Sequence, residues 1–219
     1  MSKLPFLPDD IAQCRLCADL PRGPLPIVQL SPKARILIAS QAPGRIAHES
    51  GVPFQDPSGR RLRRWLGLNE AAFYDAEKIA ILPMGFCYPG KAGGGDAPPK
   101  PLCAKTWRTQ AISYLKSASI LLIIGRHALG WHAPAKKAQP LTRLAKEQPF
   151  ARSCDTIEGP FTNLQSTFIL PHPSPRNTQW LKTNPWFEGE IVPALQNKIA
   201  ETLALVLCIT LSDVLRFVL

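Results

Sequence analysis

The chain has 219 residues, 45% apolar and 19% charged, which suits one well-buried domain, leaves too little for two, and excludes a disordered polymer. The net charge is +10 and the pI about 9.6. Polyanions are the expected partners, nucleic acid before an anionic membrane surface, with a merely soluble basic protein as the bland alternative.

Met1 to Asp10 is broken by prolines, carries Asp9 and Asp10, and has no apolar h-region. No secretory signal is read there, so a cytoplasmic, reducing compartment is expected. In that setting clustered cysteines read as metal ligands before disulfides. Cys14 and Cys17 form the first pair, C-x-x-C, in a loop before the first strand.

Arg35 to Ala39 (RILIA) is the first of four short apolar runs. Ser40 to Phe54 follows as a loop, and Ser58 is a candidate cap for a helix over Arg60 to Leu68. The second run is Lys78 to Leu82 (KIAIL). Cys87 comes shortly after it, and Cys103 lies across a Gly- and Pro-rich loop (YPGKAGGGDAPPKPL). A helix is expected over Pro101 to Ser117, with Trp107, Ile112 and Leu115 among its apolar positions. The third run is Ser119 to Gly125 (SILLIIG), followed by a short helix from His127 to Trp131. The fourth is Ser166 to Leu170 (STFIL), followed by the loop Pro171 to Asn177 and a helix within Trp186 to Leu219.

The runs are continuously apolar rather than alternating, as in parallel strands buried on both faces. Alternating with helices, they predict a three-layer α/β/α domain with a central four-stranded parallel sheet. Ligands of such sheets sit beyond the carboxyl ends of the strands. Leu203 to Leu219 is apolar, but Asp213 and Arg216 interrupt it and it is too short for a good membrane span. It is expected to be a helix docked on the domain. A membrane-surface helix, a partner-binding helix and an altered reading frame are the alternatives.

Cys14, Cys17, Cys87 and Cys103 can complete four ligands around one centre. Spacing alone leaves a zinc ion, an iron–sulfur cluster and metal-free structural thiols open. Cys154 and Cys208 fit no pair and read as ordinary buried thiols.

Several motifs in this order resemble the uracil-DNA glycosylase superfamily, most like its iron–sulfur, family-four type of bacteria and archaea. After the first strand stand Ser40-Gln41-Ala42-Pro43-Gly44 and then Ser50-Gly51-Val52-Pro53-Phe54; after the last stand His172-Pro173-Ser174-Pro175. The resemblance covers roughly Ile11 to Leu195. It implies a glycosylase-like domain over residues 1–198, followed by an apolar helical tail over 199–219. It also implies a monomer acting on DNA that contains uracil or another damaged base, in base excision repair, with no membrane involved. It tips the cysteine site from zinc towards a [4Fe–4S] cluster.

The resemblance gives His172 the role of donor to the departing base. Phe54 becomes the aromatic wall, and Gln41, Ala42, Pro43 and Gly44 the pocket lining. Ser174, Arg176 and Asn177, with the basic cluster Arg60, Arg61, Arg63 and Arg64, are the expected DNA contacts. A solvated helix face is the alternative for that cluster. The chain departs from the family pattern at four places, at one of which Arg45-Ile46-Ala47-His48-Glu49 replaces an acidic run. Gln41 replaces a glutamate, Ala42 stands where relatives carry Asp or Asn, and Pro83-Met84 replaces the asparagine that reads the uracil edge. His48 and Asp56 are the candidates for activating water, with Asp56 alternatively capping a turn. A catalytically weak or inactive iron–sulfur DNA-binding module of the same fold is the second reading.

Overall fold

The computed structural model describes residues 7–148, 150, 151 and 159–216, with residues 150, 151 and 205–216 described by their backbone alone. Cys154 and the side chain of Cys208 lie outside the described residues. The strands are β1 (Ile36–Ala39), β2 (Ile79–Ile81), β3 (Lys91–Ala92), β4 (Gly95–Asp96), β5 (Ile120–Ile124), β6 (Phe150–Ala151) and β7 (Ser166–Leu170). The helices are α1 (Leu7–Ala12), α2 (Arg45–Ser50), α3 (Pro57–Leu66), α4 (Glu70–Phe73), α5 (Pro101–Tyr114), α6 (Gly125–His132), α7 (Leu141–Lys146), α8 (Thr178–Thr183) and α9 (Val192–Arg216).

The main sheet runs in the order β2-β1-β5-β7-β6. Its first four strands are parallel, and β6 adds a short antiparallel edge. All four apolar runs read from the sequence are these parallel strands. They are buried along nearly their whole length because helices cover both faces. Leu37, Ala39, Leu121 and Ile123 face the core shared with Ala111 and Ile112 of α5 and with Ala128 and Leu129 of α6. Ile36, Ile38 and Leu122 face the opposite core, with Leu62 and Trp65 of α3, Leu181 of α8 and Leu195 of α9. The α/β/α layering follows from this alternation.

Sheet order reverses between β1 and β5, which puts a topological switch point at the carboxyl edge. In-register pairing of Ala39 with Ile123 and of Ile124 with Leu170 brings the following loops out side by side.

Asp56, not Ser58, caps α3, its Oδ1 accepting from Gly59 N at 2.8 Å. Pro57 explains the shift: it has no N–H to lose and a φ already suited to the first helical position. Gly67, at φ 67°, ends the helix one residue before the expected Leu68. At the C-terminus a wide π turn over Phe187–Ile191 precedes α9, because Pro193 has no N–H to give back to the preceding turn. α9 then runs without a break past residue 198, with Ile199 and Thr202 buried. No helix of the described residues is long and apolar enough to cross a membrane.

Candidate active site

A cavity of about 420 Å³ lies at the carboxyl edge of the sheet. Ser40, Gln41, Ala42, Pro43 and Gly44 line it after β1, Pro83 after β2, and His172, Ser174, Arg176 and Asn177 after β7. Phe54, Asp56 and Ser58 form the wall at the start of α3, and Asp96 of β4 contributes from the hairpin. Motif residues far apart in sequence thus converge on one space.

Phe54 is the one non-glycine residue with positive φ (58°) among those described, a conformation that costs energy and marks functional sites. Its ring meets Phe73 edge-on at 6.2 Å. α3 starts hard against it: a Cβ on Gly59 would stand 1.7 Å from Phe54 O. Gly59→Ala is therefore expected to destabilise the fold by about 3 kcal/mol, at the upper end of overpacking costs. In a thermal melt that is a fall of roughly 6–12 °C; an unchanged melting temperature would contradict the close approach.

His172 is half-buried, and burial pushes its pKa below the usual histidine value, with Asp56 and Asp96 pulling the other way. Ser174 N donates to its Nδ1 at 3.2 Å. The neutral ring therefore carries its proton on Nε2 and can donate from there. Asn177 Nδ2 holds the same loop by donating to His172 O at 2.7 Å.

The expected DNA-contact residues divide into two groups. Arg61 donates to Ser174 O (2.9 Å) and Thr178 Oγ1 (3.1 Å), so it braces the histidine loop rather than facing outward. Arg63 is turned inward, donating to Tyr74 Oη at 3.1 Å over the Phe73 ring. Arg64 pairs with Glu188 at 3.3 Å on the surface. Arg60 is exposed and keeps its guanidinium free among the described residues. Arg176 reaches across the cavity mouth, its Nη2 donating to Gly94 O at 2.8 Å.

His48 does not line the cavity. Its neighbour Ala47 does, and successive helical residues point roughly 100° apart. The His48 ring lies 6.0 Å from that of Tyr88, and its buried Nδ1 has no hydrogen-bond partner among the described residues. Asp56 reaches the cavity but spends one oxygen on the α3 cap. Asp96 is the residue that sequence reading missed. Its signal was faint: it is the only acid between Cys87 and Cys103, two residues past the Gly93-Gly94 turn.

Cys14, Cys17, Cys87 and Cys103 line one small cavity with Leu16, Pro24, Pro26, Phe86 and Trp107. The backbone brings them there. Gln29 bridges antiparallel to Ile81, and Ile27 N donates to Phe86 O at 2.7 Å, so the N-terminal segment lies beside β2 and Cys87. All four are free thiols. Burial pushes Cys87 up to about 11 and Cys103 up to about 12, and the other cysteines add to both shifts. Among the described residues no three potential ligands are placed to hold a single metal ion.

Three features around the cysteines suit a thiolate-bound cluster. Phe86 N donates to Cys103 Sγ at 3.4 Å. The buried Trp107 Nε1 has no acceptor among the described residues. The fully buried Arg108 donates to Leu82 O (3.2 Å), Pro83 O (3.0 Å) and His132 Nε2 (2.9 Å). Donors and a buried cation are what a thiolate-ligated cluster needs around it.

A further cavity of about 310 Å³ is lined by Lys100, Lys105, Arg126, His127 and Lys137, together with Trp131 and no acidic residue. It begins at Met84, next in sequence to Pro83 of the main cavity.

His172 and Phe54 thus stand together at the strand ends of a parallel α/β domain, around one cavity. The family model of the Uracil DNA glycosylase superfamily matches residues 27–196. The chain belongs to that superfamily, which acts on DNA, and membership supports a DNA glycosylase-like function in general. The match includes Cys87 and Cys103 and begins after Cys14 and Cys17.

Proposed function

We propose that this chain hydrolyses the N-glycosidic bond of uracil, or of another deaminated base, in DNA, acting in cytoplasmic base excision repair as a monomer. The observation that carries this is the convergence of Phe54, His172 and the loop after β1 on one cavity sized for a flipped base. Phe54 stacks on the base, and His172 donates from Nε2 to the base carbonyl as negative charge develops there. Asn177 Nδ2 is committed to His172 O at 2.7 Å, whereas Gln41 Nε2 makes only a long 3.4 Å bond to Ala97 O, so Gln41 is the carboxamide better placed to read the base edge. The exposed Arg60 and the basic lining of the second cavity are the candidate partners for the strand's phosphates. Cys14, Cys17, Cys87 and Cys103 hold a [4Fe–4S] cluster that braces the loops, zinc being the alternative occupant.

The test is excision from labelled oligonucleotides carrying U opposite G, U opposite A, single-stranded U or hypoxanthine, followed by alkali. Cleavage of at least one is expected. Retained binding with no cleavage on any would replace the enzyme by a DNA-binding module, the reading that Ala42 and Pro83 in the cavity favour.

A further inference from the structure

We propose that Asp96 is the group that activates water in this site, supplied by the cysteine-flanked strap instead of the loop after β1. The inference rests on the excision reading above. Hydrolysis needs a base beside the attacking water, and the loop after β1 brings no carboxylate to the cavity, only Ser40, Gln41, Ala42, Pro43 and Gly44.

Among the described residues two acids line the cavity, Asp56 and Asp96. Both aim at one spot: a Cβ on Gly44 would lie 3.5 Å from Asp96 Oδ2 and 4.0 Å from Asp56 Oδ2. Gly44 has φ −81° and ψ 177°, which any residue adopts, so the backbone does not require glycine there. What glycine provides is open space in front of the carboxylates, room for a water. The two acids differ in what else they do. Asp56 Oδ1 accepts from Gly59 N and caps α3. Asp96 is exposed, and among the described residues its carboxylate accepts no hydrogen bond and pairs with no cation. A proton acceptor has to be uncommitted, and Asp96 is.

Its position is nonetheless held. Asp96 sits on a hairpin whose turn, Gly93-Gly94, takes φ 55° and 75°, as a two-residue hairpin loop requires. Two residues before it, Gly94 O accepts from Arg176; one residue after it, Ala97 O accepts from Gln41 Nε2 at 3.4 Å. The hairpin is thereby tied to the histidine loop on one side and to the loop after β1 on the other. The strap's outer ends are Cys87 and Cys103, and Lys100 near its end pairs with Asp19, two residues past Cys17.

The step balances. The C1′–N bond breaks and its electron pair leaves with the base, whose charge the His172 donor stabilises. Water oxygen bonds to the cationic C1′ while Asp96 accepts the water proton, which then passes to solvent or to the base anion. The carboxylate also lowers the energy of the cationic sugar. The products are free base and an abasic sugar.

The experiment is single-turnover excision on the best uracil substrate, with DNA binding measured separately, for wild type, Asp96→Asn, Asp56→Asn and the hairpin-surface control Lys91→Ala. Asp96→Asn is expected to lose roughly 100-fold or more in rate, the scale of a general base, with unchanged DNA affinity. Asp56→Asn, which keeps a capping oxygen, should retain most of the rate, and Lys91→Ala all of it. Because Asp96 has no partner to lose, its variant should melt with wild type; Asp96→Ser serves as a second variant. A rate for Asp96→Asn within about threefold of wild type, against the scale of a base, would overturn the assignment. So would a large loss in Asp56→Asn alone. Both of those outcomes leave the excision reading standing. A wild type that excises nothing overturns the excision reading and this one with it.

Discussion

Replacing His172 by alanine is expected to slow base excision by roughly 100-fold or more, the scale of losing a donor aimed at developing charge. DNA affinity should change far less, because the donor acts on charge that exists only as the bond breaks. Ser174 N fixes the tautomer at Nδ1, so the proton on Nε2 is the functional one. His172→Gln, which offers an N–H of similar reach, should recover part of the loss. An unchanged rate in the alanine variant would remove His172 from the mechanism.

The same residue predicts a pH effect on stability. Burial depresses the folded-state pKa of His172, so the unfolded chain binds more protons in the window between the depressed value and the ordinary one. Stability is therefore full above the ordinary histidine pKa of about 6.5 and falls as pH drops through that window. His172→Gln should flatten that part of a melting profile, and a profile unchanged in shape would contradict the shift.

The parallel strands were legible in the sequence because burial on both faces leaves unbroken apolar runs, such as SILLIIG around β5. The site was legible wherever a motif follows a strand end, since strand order alone puts Gln41 to Gly44 and His172 at the same edge. Short elements left less trace. α2, α4, α7 and α8 span four to six residues, too few for a helical period to show. Two-residue strands such as β3 and β4 have no alternation at all. Asp96 was missed for that reason: its place in the cavity depends on a fold-back that only the Gly-Gly turn announces. His48 shows the complementary limit. Sequence proximity to the motif placed it near the site, but the rotation of one residue along α2 turned it towards Tyr88. The arginine cluster shows the same limit, since composition cannot tell an arginine that braces a loop, as Arg61 does, from one that meets phosphate.

Loss of any one of the four cysteines is expected to cost as much activity as loss of a residue inside the cavity, although none of them lines it. The strap from Cys87 to Cys103 carries Asp96, and its hairpin strands are two residues each, too short to hold a position alone. With its ends released, a shift of about 1 Å at Asp96 suffices to lower excision on the order of 100-fold. Cys103→Ser alone would be ambiguous, because Cys103 is also buried in a core. Cys14→Ser is the sharper variant. Cys14 is half-buried, belongs to neither core, and lies outside the strap. If the four thiolates share one cluster, Cys14→Ser must still free the strap. Anaerobically purified variant protein should lose the broad visible absorption of an iron–sulfur cluster. A protease should then cut within residues 88–102 faster than in wild type. Wild-type protein that is colourless and loaded with zinc would replace the cluster by a zinc ion and leave the bracing role in place. Cys14→Ser with an uncut strap and full activity would separate the cysteines from the active site altogether.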